Sequence, residues 1–395
     1  VKLLQINVTA NWGSHGRIAE GIAKAAQAQG WQTAMAYGRS ANPSVQQLYR
    51  IGSDADVYAH VALSRLFDSH GLGSVAATKR FISFAKDYKP DLIHLHNIHG
   101  YYLNYPLLFE YLKAWGGPVV WTLHDCWPFT GHCAYFDYAA CDRWQTGCHD
   151  CPEKASYPKA MLIDNSRRNY ELKRKVFGSI ASQLTLVPVS QWLASIAERS
   201  YLGGCRIEMI HNGIDTDIFR PSAPKAIEPK IMLGVANVWD KRKGLDDFIR
   251  LAKMLPDDYR VVLIGLSEKQ IRKLPPGVEG IARTQNIDEL VRHYSQASVF
   301  VNPTLEDNLP TTNLEAQACG TPVVTYRTGG APETISPDTG IVVDKGDIHG
   351  LLSAIKTIAS THYHSTLCRS HIIDNFSAPL STSAYLALYN RLLKN

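Results

Sequence analysis

The chain opens with Val1-Lys2-Leu3-Leu4-Gln5-Ile6-Asn7-Val8, an apolar run of strand length. Comparable runs recur at 33–37, 91–96, 118–123 and 184–189, separated by stretches whose apolar positions repeat at helical spacing. Between Asp54 and Phe67, for example, Val57, Val61, Ser64 and Leu66 fall roughly on one helix face. Short buried strands alternating with amphipathic helices predict a parallel, doubly wound α/β sheet. The pattern then restarts. Lys230–Val235, Arg260–Ile264, Val299–Asn302 and Pro322–Tyr326 are continuous runs rich in Val and Ile, as a sheet covered on both faces requires. Helices are predicted between them at 244–255, 287–297 and 310–319.

Two such halves predict two Rossmann-like domains facing a central cleft, with ligands at the carboxyl ends of the strands. The expected first domain covers 1–190, with a Cys-rich insertion at 126–152. The second covers 191–377, and 378–395 forms an amphipathic helix that packs back on the first. Phe219–Pro229, with three prolines, separates the last motif of the first half from the next strand.

Composition narrows the function. With 45% hydrophobic and 19% charged residues among 395, the chain reads as an ordinary globular α/β protein. A net charge of +5 is too small to imply nucleic acid, but suits anionic ligands or an anionic membrane surface. The first apolar run is too short for a signal peptide, and no run approaches the roughly 20 residues of a membrane span. A cytoplasmic location is expected.

The most informative stretch is Asn302-Pro-Thr-Leu-Glu306-Asp307-Asn308-Leu309-Pro310-Thr311-Thr312-Asn313-Leu314-Glu315, which continues to Gly320, Thr321 and Pro322. A strand ends at Asn302, Pro310 suits the first residue of a helix, and Gly320 suits its end. Backbone amides around Asn308–Thr312 would then favour a diphosphate at the helix N-terminus. Asp307 and Glu315 could both face one bound ligand. The plainer alternative is a surface helix with two solvated acids.

This run resembles the nucleotide-sugar signature of glycosyltransferase family 4, retaining enzymes of the two-Rossmann GT-B fold. The family pattern is an acid, seven intervening residues, Glu, and a helix ending in Ala-Cys-Gly-Thr-Pro-Val-Val. Asp307 and Glu315 occupy the two acidic positions, and Gly329-Gly330-Ala331-Pro332-Glu333 also matches. The resemblance implies that Asp307 contacts donor-sugar hydroxyls and Glu315 the ribose. Asn308, Leu309 and Thr311 would line the sugar and phosphates. Asp307 stands where the family carries Glu, one methylene longer.

Other residues take roles from the same resemblance. In Val238-Trp-Asp-Lys241-Arg242-Lys243-Gly244, Lys243 is assigned to the leaving diphosphate. Arg242 is expected to supply the guanidinium that the family carries earlier, where this chain has Asn237. The loop Asn11-Trp12-Gly13-Ser14-His15-Gly16-Arg17 is similar to the family's glycine loop. Gly13 and Gly16 are assigned to the donor and Arg17 to the acceptor. His94 and His96 share one strand face by the period of two. The resemblance makes His124 the histidine that contacts the donor sugar near the reacting carbon, with His96 and Asn97 nearer the acceptor.

Cys133, Cys141, Cys148 and Cys151 lie among aromatics, and Cys148-His-Asp-Cys151 has the spacing of half a structural zinc site. The alternatives are four-thiolate zinc and packed reduced thiols. No cofactor is required for catalysis. The basic stretch Lys154–Lys175 is either a solvated helix or a peripheral contact with the inner face of a membrane.

The expected function is therefore transfer of a sugar from a nucleoside-diphosphate donor to a glycan or lipid-linked acceptor, in surface polysaccharide synthesis. The alternatives are a sugar-nucleotide epimerase of the same fold and a non-catalytic sugar-nucleotide-binding protein. A new glycosidic bond distinguishes the first from both.

Overall fold

Continuous apolar runs become the inner strands of two parallel sheets. In the computed structural model, which describes residues 1–360 and 365–394, the first sheet comprises seven strands. These are β1 (Lys2–Asn7), β2 (Gln32–Tyr37), β3 (Gln47–Arg50), β4 (Leu92–Leu95), β5 (Val119–Leu123), β6 (Leu184–Pro188) and β7 (Arg206–Ile207). They run in the order β3-β2-β1-β4-β5-β6-β7, every pair parallel. The second sheet holds β8 (Lys230–Val235), β9 (Tyr259–Ile264), β10 (Val278–Ile281), β11 (Val299–Asn302), β12 (Val323–Tyr326) and β13 (Gly340–Val343). Its order is β10-β9-β8-β11-β12-β13, again all parallel.

Each sheet reverses its winding once, at β1/β4 and at β8/β11. The crossover loops part at such a point and leave a crevice beyond the carboxyl ends of the strands. That is where each unit can take a ligand.

The chain divides into Val1–His211 with Ser381–Asn395, and Asn212–Leu380. The boundary expected near 190 therefore moves to 211. The helix Gln191–Arg199 leads into β7, and Glu208 and Ile210 donate backbone hydrogen bonds to Leu186 and Pro188 of β6 (3.0 and 3.1 Å). These bonds continue the first sheet, so the segment cannot belong to the second.

The helix Ala378–Leu392 begins in the second unit and lays its body on the first sheet. The Tyr385 hydroxyl meets Thr122 Oγ1 at 2.8 Å and that of Tyr389 meets His94 Nδ1 at 2.6 Å. Leu386 and Leu388 are buried in the same cluster as Leu3, Leu92 and Val187. Each such Leu stabilises the unit by about 1.5–3 kcal/mol. Asn395, at the end of the expected helical segment, lies outside the described residues.

After β5 the chain runs from His124 to Asn165 with only two short 3₁₀ turns, Trp127–Phe129 and Arg143–Gln145. Aromatic packing substitutes for backbone ladders there; Phe136 and Trp144 stack at 5.0 Å. Among the described residues no helix is long and apolar enough to cross a membrane.

Candidate functional site

The crevice of the second unit is built from the loops after β8 and β11. After β8, Asp240 accepts the Lys243 amide (3.1 Å) and so caps a 3₁₀ turn over Lys241–Lys243. Gly244 follows with φ +75°, and a Cβ there would lie 2.1 Å from the carbonyl oxygen of Pro303. Only glycine lets the two loops approach so closely. The guanidinium of Arg242 donates to the carbonyl of Glu306 (2.9 Å), and the Leu305 amide donates to the carbonyl of Arg242 (2.7 Å).

That tie brings Lys243 to Asp307: Nζ donates to Oδ2 at 2.5 Å, with the side chains 23% and 15% exposed. Asp307 is fixed from behind, because its carbonyl accepts from the Gly330 amide (3.2 Å) and Gly329 adopts φ +51° against it. Glu306, beside it, is buried. Arg242, expected at a phosphate, braces the loop through Glu306 in this state.

Pro310 is the residue before the helix rather than its first residue; the helix spans Thr311–Ala318 and has no side-chain cap. Its opening amides are therefore not engaged by a capping side chain, which suits an anion. Asn308 and Leu309 are buried in the approach to this end. Glu315, one turn further, accepts the Tyr294 hydroxyl at 2.9 Å. Burial, reinforced by the charge of Glu315, raises the Tyr294 phenol well above its ordinary range, so it stays a donor. A buried amide network holds the helix in place: Asn302 donates to Asn313, Asn313 to Thr334, and Gln317 to the carbonyl of Thr334 (2.8, 2.9 and 2.8 Å).

In the first unit the crevice lies beyond β1 and β4. Gly13 has φ +69° at the start of the helix Gly13–Ala28, and a Cβ on Gly16 would come within 2.9 Å of Thr9 Oγ1. Arg17 is exposed on the same turn, and Asn97 is half-buried, its amide donating to Asn7 Oδ1 (3.3 Å). The Asn7 amide nitrogen also donates to the Thr9 carbonyl (2.8 Å) and meets His15 Nδ1 (3.0 Å). Burial holds His15 down to about 4, with His99 adding to the effect, so the ring is neutral and accepts at Nδ1.

His124 closes this crevice at the end of β5, and its ring is oriented from within the sheet. Glu20 accepts from Ser44 Oγ (2.6 Å), the Val45 amide (2.9 Å) and Gln46 Nε2 (3.3 Å). Gln46 must therefore turn its oxygen to Gln5 Nε2 (3.0 Å), which also donates to the carbonyl of Ala19 (2.8 Å). Gln5 Oε1 then accepts from His96 Nε2 at 2.9 Å, leaving His96 Nδ1 to accept from His124 Nε2 at 3.3 Å. The network assigns each tautomer, starting from a group that can only accept. Burial, then neighbouring histidines, holds His96 and His124 well below the ordinary imidazole range, so both are neutral.

His96, expected beside the acceptor, is fully buried with both nitrogens engaged. It stands behind His124 rather than in the crevice. His94 is a core residue tied to Thr122 and Tyr389. Sequence reasoning passed over Gln5, Gln46, Glu20 and Tyr294. Polar residues inside strand-like or apolar-faced runs were the available signal for Gln5 and Tyr294. Cys133, Cys141, Cys148 and Cys151 are all free thiols lining one cavity in the insertion.

Two parallel Rossmann-like units, with Lys243 and Asp307 joined across one switch point, define a GT-B glycosyltransferase architecture. The chain belongs to glycosyltransferase family 4: it matches the Glycosyltransferase Family 4 model over residues 15–218 and the Glycosyl transferases group 1 model over 229–361. It is 27% identical, over 93% of each chain, to WcaC of Escherichia coli, named as a colanic acid biosynthesis glycosyl transferase. In fold it is similar to a sucrose-phosphate synthase of Thermosynechococcus elongatus (TM-score 0.73, 18% identity, 100% and 99% of the two chains). It is also similar to Anabaena HepE, solved with UDP-glucose (TM-score 0.65, 14% identity, 99% of each chain). The chain is an enzyme of the glycosyltransferase class.

Proposed function

We propose that this enzyme is a retaining transferase that moves a sugar from a nucleoside-diphosphate donor to a hydroxyl of a glycan or lipid-linked acceptor, in surface polysaccharide synthesis. The observation that carries the reading is the Lys243–Asp307 pair beside the helix start at Thr311. A cation, a carboxylate and the amides of a helix start without a side-chain cap suit, respectively, the diphosphate, the sugar hydroxyls and the phosphate oxygens. The named activity of the WcaC relative and the UDP-glucose bound by HepE support the donor and pathway class.

The second unit binds the donor. Glu315 accepts ribose hydroxyls, Asp307 the sugar hydroxyls, and Lys243 meets the diphosphate. As the bond from the sugar carbon to the diphosphate oxygen breaks, charge grows on that oxygen. Lys243 and the amides at Thr311 stabilise it more than the ground state, and that difference lowers the barrier. The acceptor oxygen bonds to the same face of the sugar carbon, and its proton passes to the departing diphosphate. Neutral His124, held by His96, orients a sugar hydroxyl without adding charge. Gly13, Gly16, Arg17 and Asn97 of the first unit serve the donor phosphate and the acceptor.

An anionic lipid surface is the proposed peripheral partner. Met161, Leu162 and Ile163 are exposed beside Leu66 and Phe67, with Arg167 and Arg168 exposed next in sequence. Hydrogen bonds from Met161 N to Arg65 O and from Asn165 to Phe67 O hold the two segments together (both 2.7 Å). Apolar tips with cations at their edge suit a headgroup layer.

The test is a screen of nucleotide sugars by thermal shift, followed by turnover of the best binder with lipid-linked acceptors. A new glycosidic bond with the donor's anomeric configuration is expected. An isomerised nucleotide sugar would instead support an epimerase, and binding without any turnover a non-catalytic role. Flotation with anionic liposomes tests the lipid contact; absence of binding at low salt removes it.

A further inference from the structure

The insertion after β5 contains a constellation that sugar transfer does not use. One small cavity, about 10 Å³, is lined by His132, Cys133, Cys141, Cys148 and Cys151, with Phe136 and Trp144 forming part of its wall. All the cysteines are free thiols. Cys133 and Cys151 are close enough for their sulfurs to hydrogen-bond. The Gly131 amide donates to Cys148 Sγ at 3.2 Å, an approach that a Cβ on Gly131, 2.8 Å from the Cys148 Cβ, would obstruct.

His132 supplies an independent sign of a ligand. Its Nδ1 lies 2.5 Å from Asp68 Oδ1, while its Nε2 is buried with no hydrogen-bond partner. An orphaned buried nitrogen costs about 1–3 kcal/mol unless something fills the place. A histidine whose far nitrogen is held by a carboxylate is the usual support of a metal-bound ring. Charge points the same way. Lys173 is buried, its Nζ donating to the carbonyls of Trp127 (2.8 Å) and Thr130 (3.1 Å), 3.5 Å from the centre of the Trp127 ring. Burial brings Lys173 down to about 7, so keeping it charged calls for a neighbouring anionic centre. Three thiolates, one imidazole and a divalent ion carry a net charge of −1, which this cation offsets.

We propose that the insertion is a structural zinc site, with Cys133, Cys148 and Cys151 as thiolates and His132 Nε2 as the fourth ligand. Binding releases three protons from the thiols and joins one Zn²⁺ to three sulfurs and one nitrogen, a closed tetrahedral set with no open position for catalysis. Cys141, which the sequence had placed among four thiolate ligands, lines the cavity outside this set. Among the described residues no three or more such side chains already stand as a ligand group, so the tetrahedral set forms only as the ion gathers the side chains that line the cavity. The site closes a segment that has almost no backbone ladder of its own and is continuous with His124.

The test is the zinc content, by plasma mass spectrometry, of full-length protein purified from cells grown without added zinc. About one zinc per chain is expected, released by a mercurial in step with thiol titration. Less than about a tenth of an equivalent in folded protein overturns the proposal. Substituting Co²⁺ into the wild-type chain should give the d–d and sulfur charge-transfer bands of tetrahedral thiolate ligation; their absence counts equally against it. C148S is expected to lose zinc, and H132Q to lose it while C141S keeps it. Retention by H132Q with loss by C141S overturns the assignment of the fourth ligand. Turnover is not the readout, so failure of the transferase reading leaves this test intact.

Discussion

Lys243 and Asp307, 64 residues apart in sequence, form one ion pair across the β8/β11 switch of the second sheet. Each fixes the other at that switch point. A partly exposed pair contributes only about 0–1 kcal/mol to folding. On the proposed function, its value lies in keeping two long-range partners in position before the ligand arrives.

Lys243→Ala should therefore leave the melting temperature nearly unchanged while turnover falls by about a hundredfold to a thousandfold, the usual cost of losing one donor to a developing oxyanion. Asp307→Ala should reduce transfer with nucleotide affinity largely kept. Steady-state kinetics alongside calorimetric titration of the free nucleoside diphosphate separates the two. Wild-type turnover by Lys243→Ala would exclude the phosphate role.

Glu315→Ala should weaken nucleotide binding by about tenfold to a hundredfold, the range for hydrogen bonds to a charged group. It also strands the Tyr294 hydroxyl, so some loss of stability is expected. Tyr294→Phe provides the control. If Glu315 acts on the ribose, Tyr294→Phe costs much less affinity than Glu315→Ala, and equal losses would assign the effect to helix placement.

Gln5→Met should lower transfer about tenfold without changing nucleotide affinity. The substitution removes the acceptor that fixes the proton on His96 Nε2, and with it the tautomer of His124. The predicted signature is a fall in kcat with an unaltered dissociation constant, and a change in the imidazole ¹⁵N shifts of His124. Unchanged shifts would exclude the relay.

Stability should fall on mild acidification. Burial holds His15 and His60 down to about 4, and His70, His94, His96 and His124 well below the usual imidazole value of 6.5. Above about pH 6.5 these rings are neutral whether folded or unfolded, and nothing is lost. Between about 6.5 and 4 only the unfolded chain takes up their protons, so stability declines as pH drops. A melting temperature that is flat from pH 7 to 5 would contradict this.

The strands legible in the sequence were all interior ones. The four it did not disclose, β3, β7, β10 and β13, are the edges of the two sheets. Interior strands are buried on both faces and are mostly apolar, whereas Gln47-Leu-Tyr-Arg50 and Val278-Glu-Gly-Ile281 need not be. The same contrast holds in the candidate site. Asp307, Glu315 and Lys243 sit in local motifs that spell out a loop and a helix start. Gln5 meets His96 across 91 residues, a pairing that only the β1–β4 register creates. The domain boundary lies beyond the expected 190 because the two-residue strand β7, which extends the first sheet past that point, leaves almost no signal in the sequence.

The helix Ala378–Leu392 has a consequence for how the protein is made. The apolar surface formed by Leu3, Leu92, Val120 and Val187 leaves the ribosome early, but Tyr385, Leu388 and Tyr389, which cover it, are synthesised only after the whole of 212–380. At ordinary elongation rates that interval is on the order of ten seconds. Throughout it the nascent first unit shows a greasy, uncovered face, so chaperone demand during translation should depend on how quickly the intervening unit is completed.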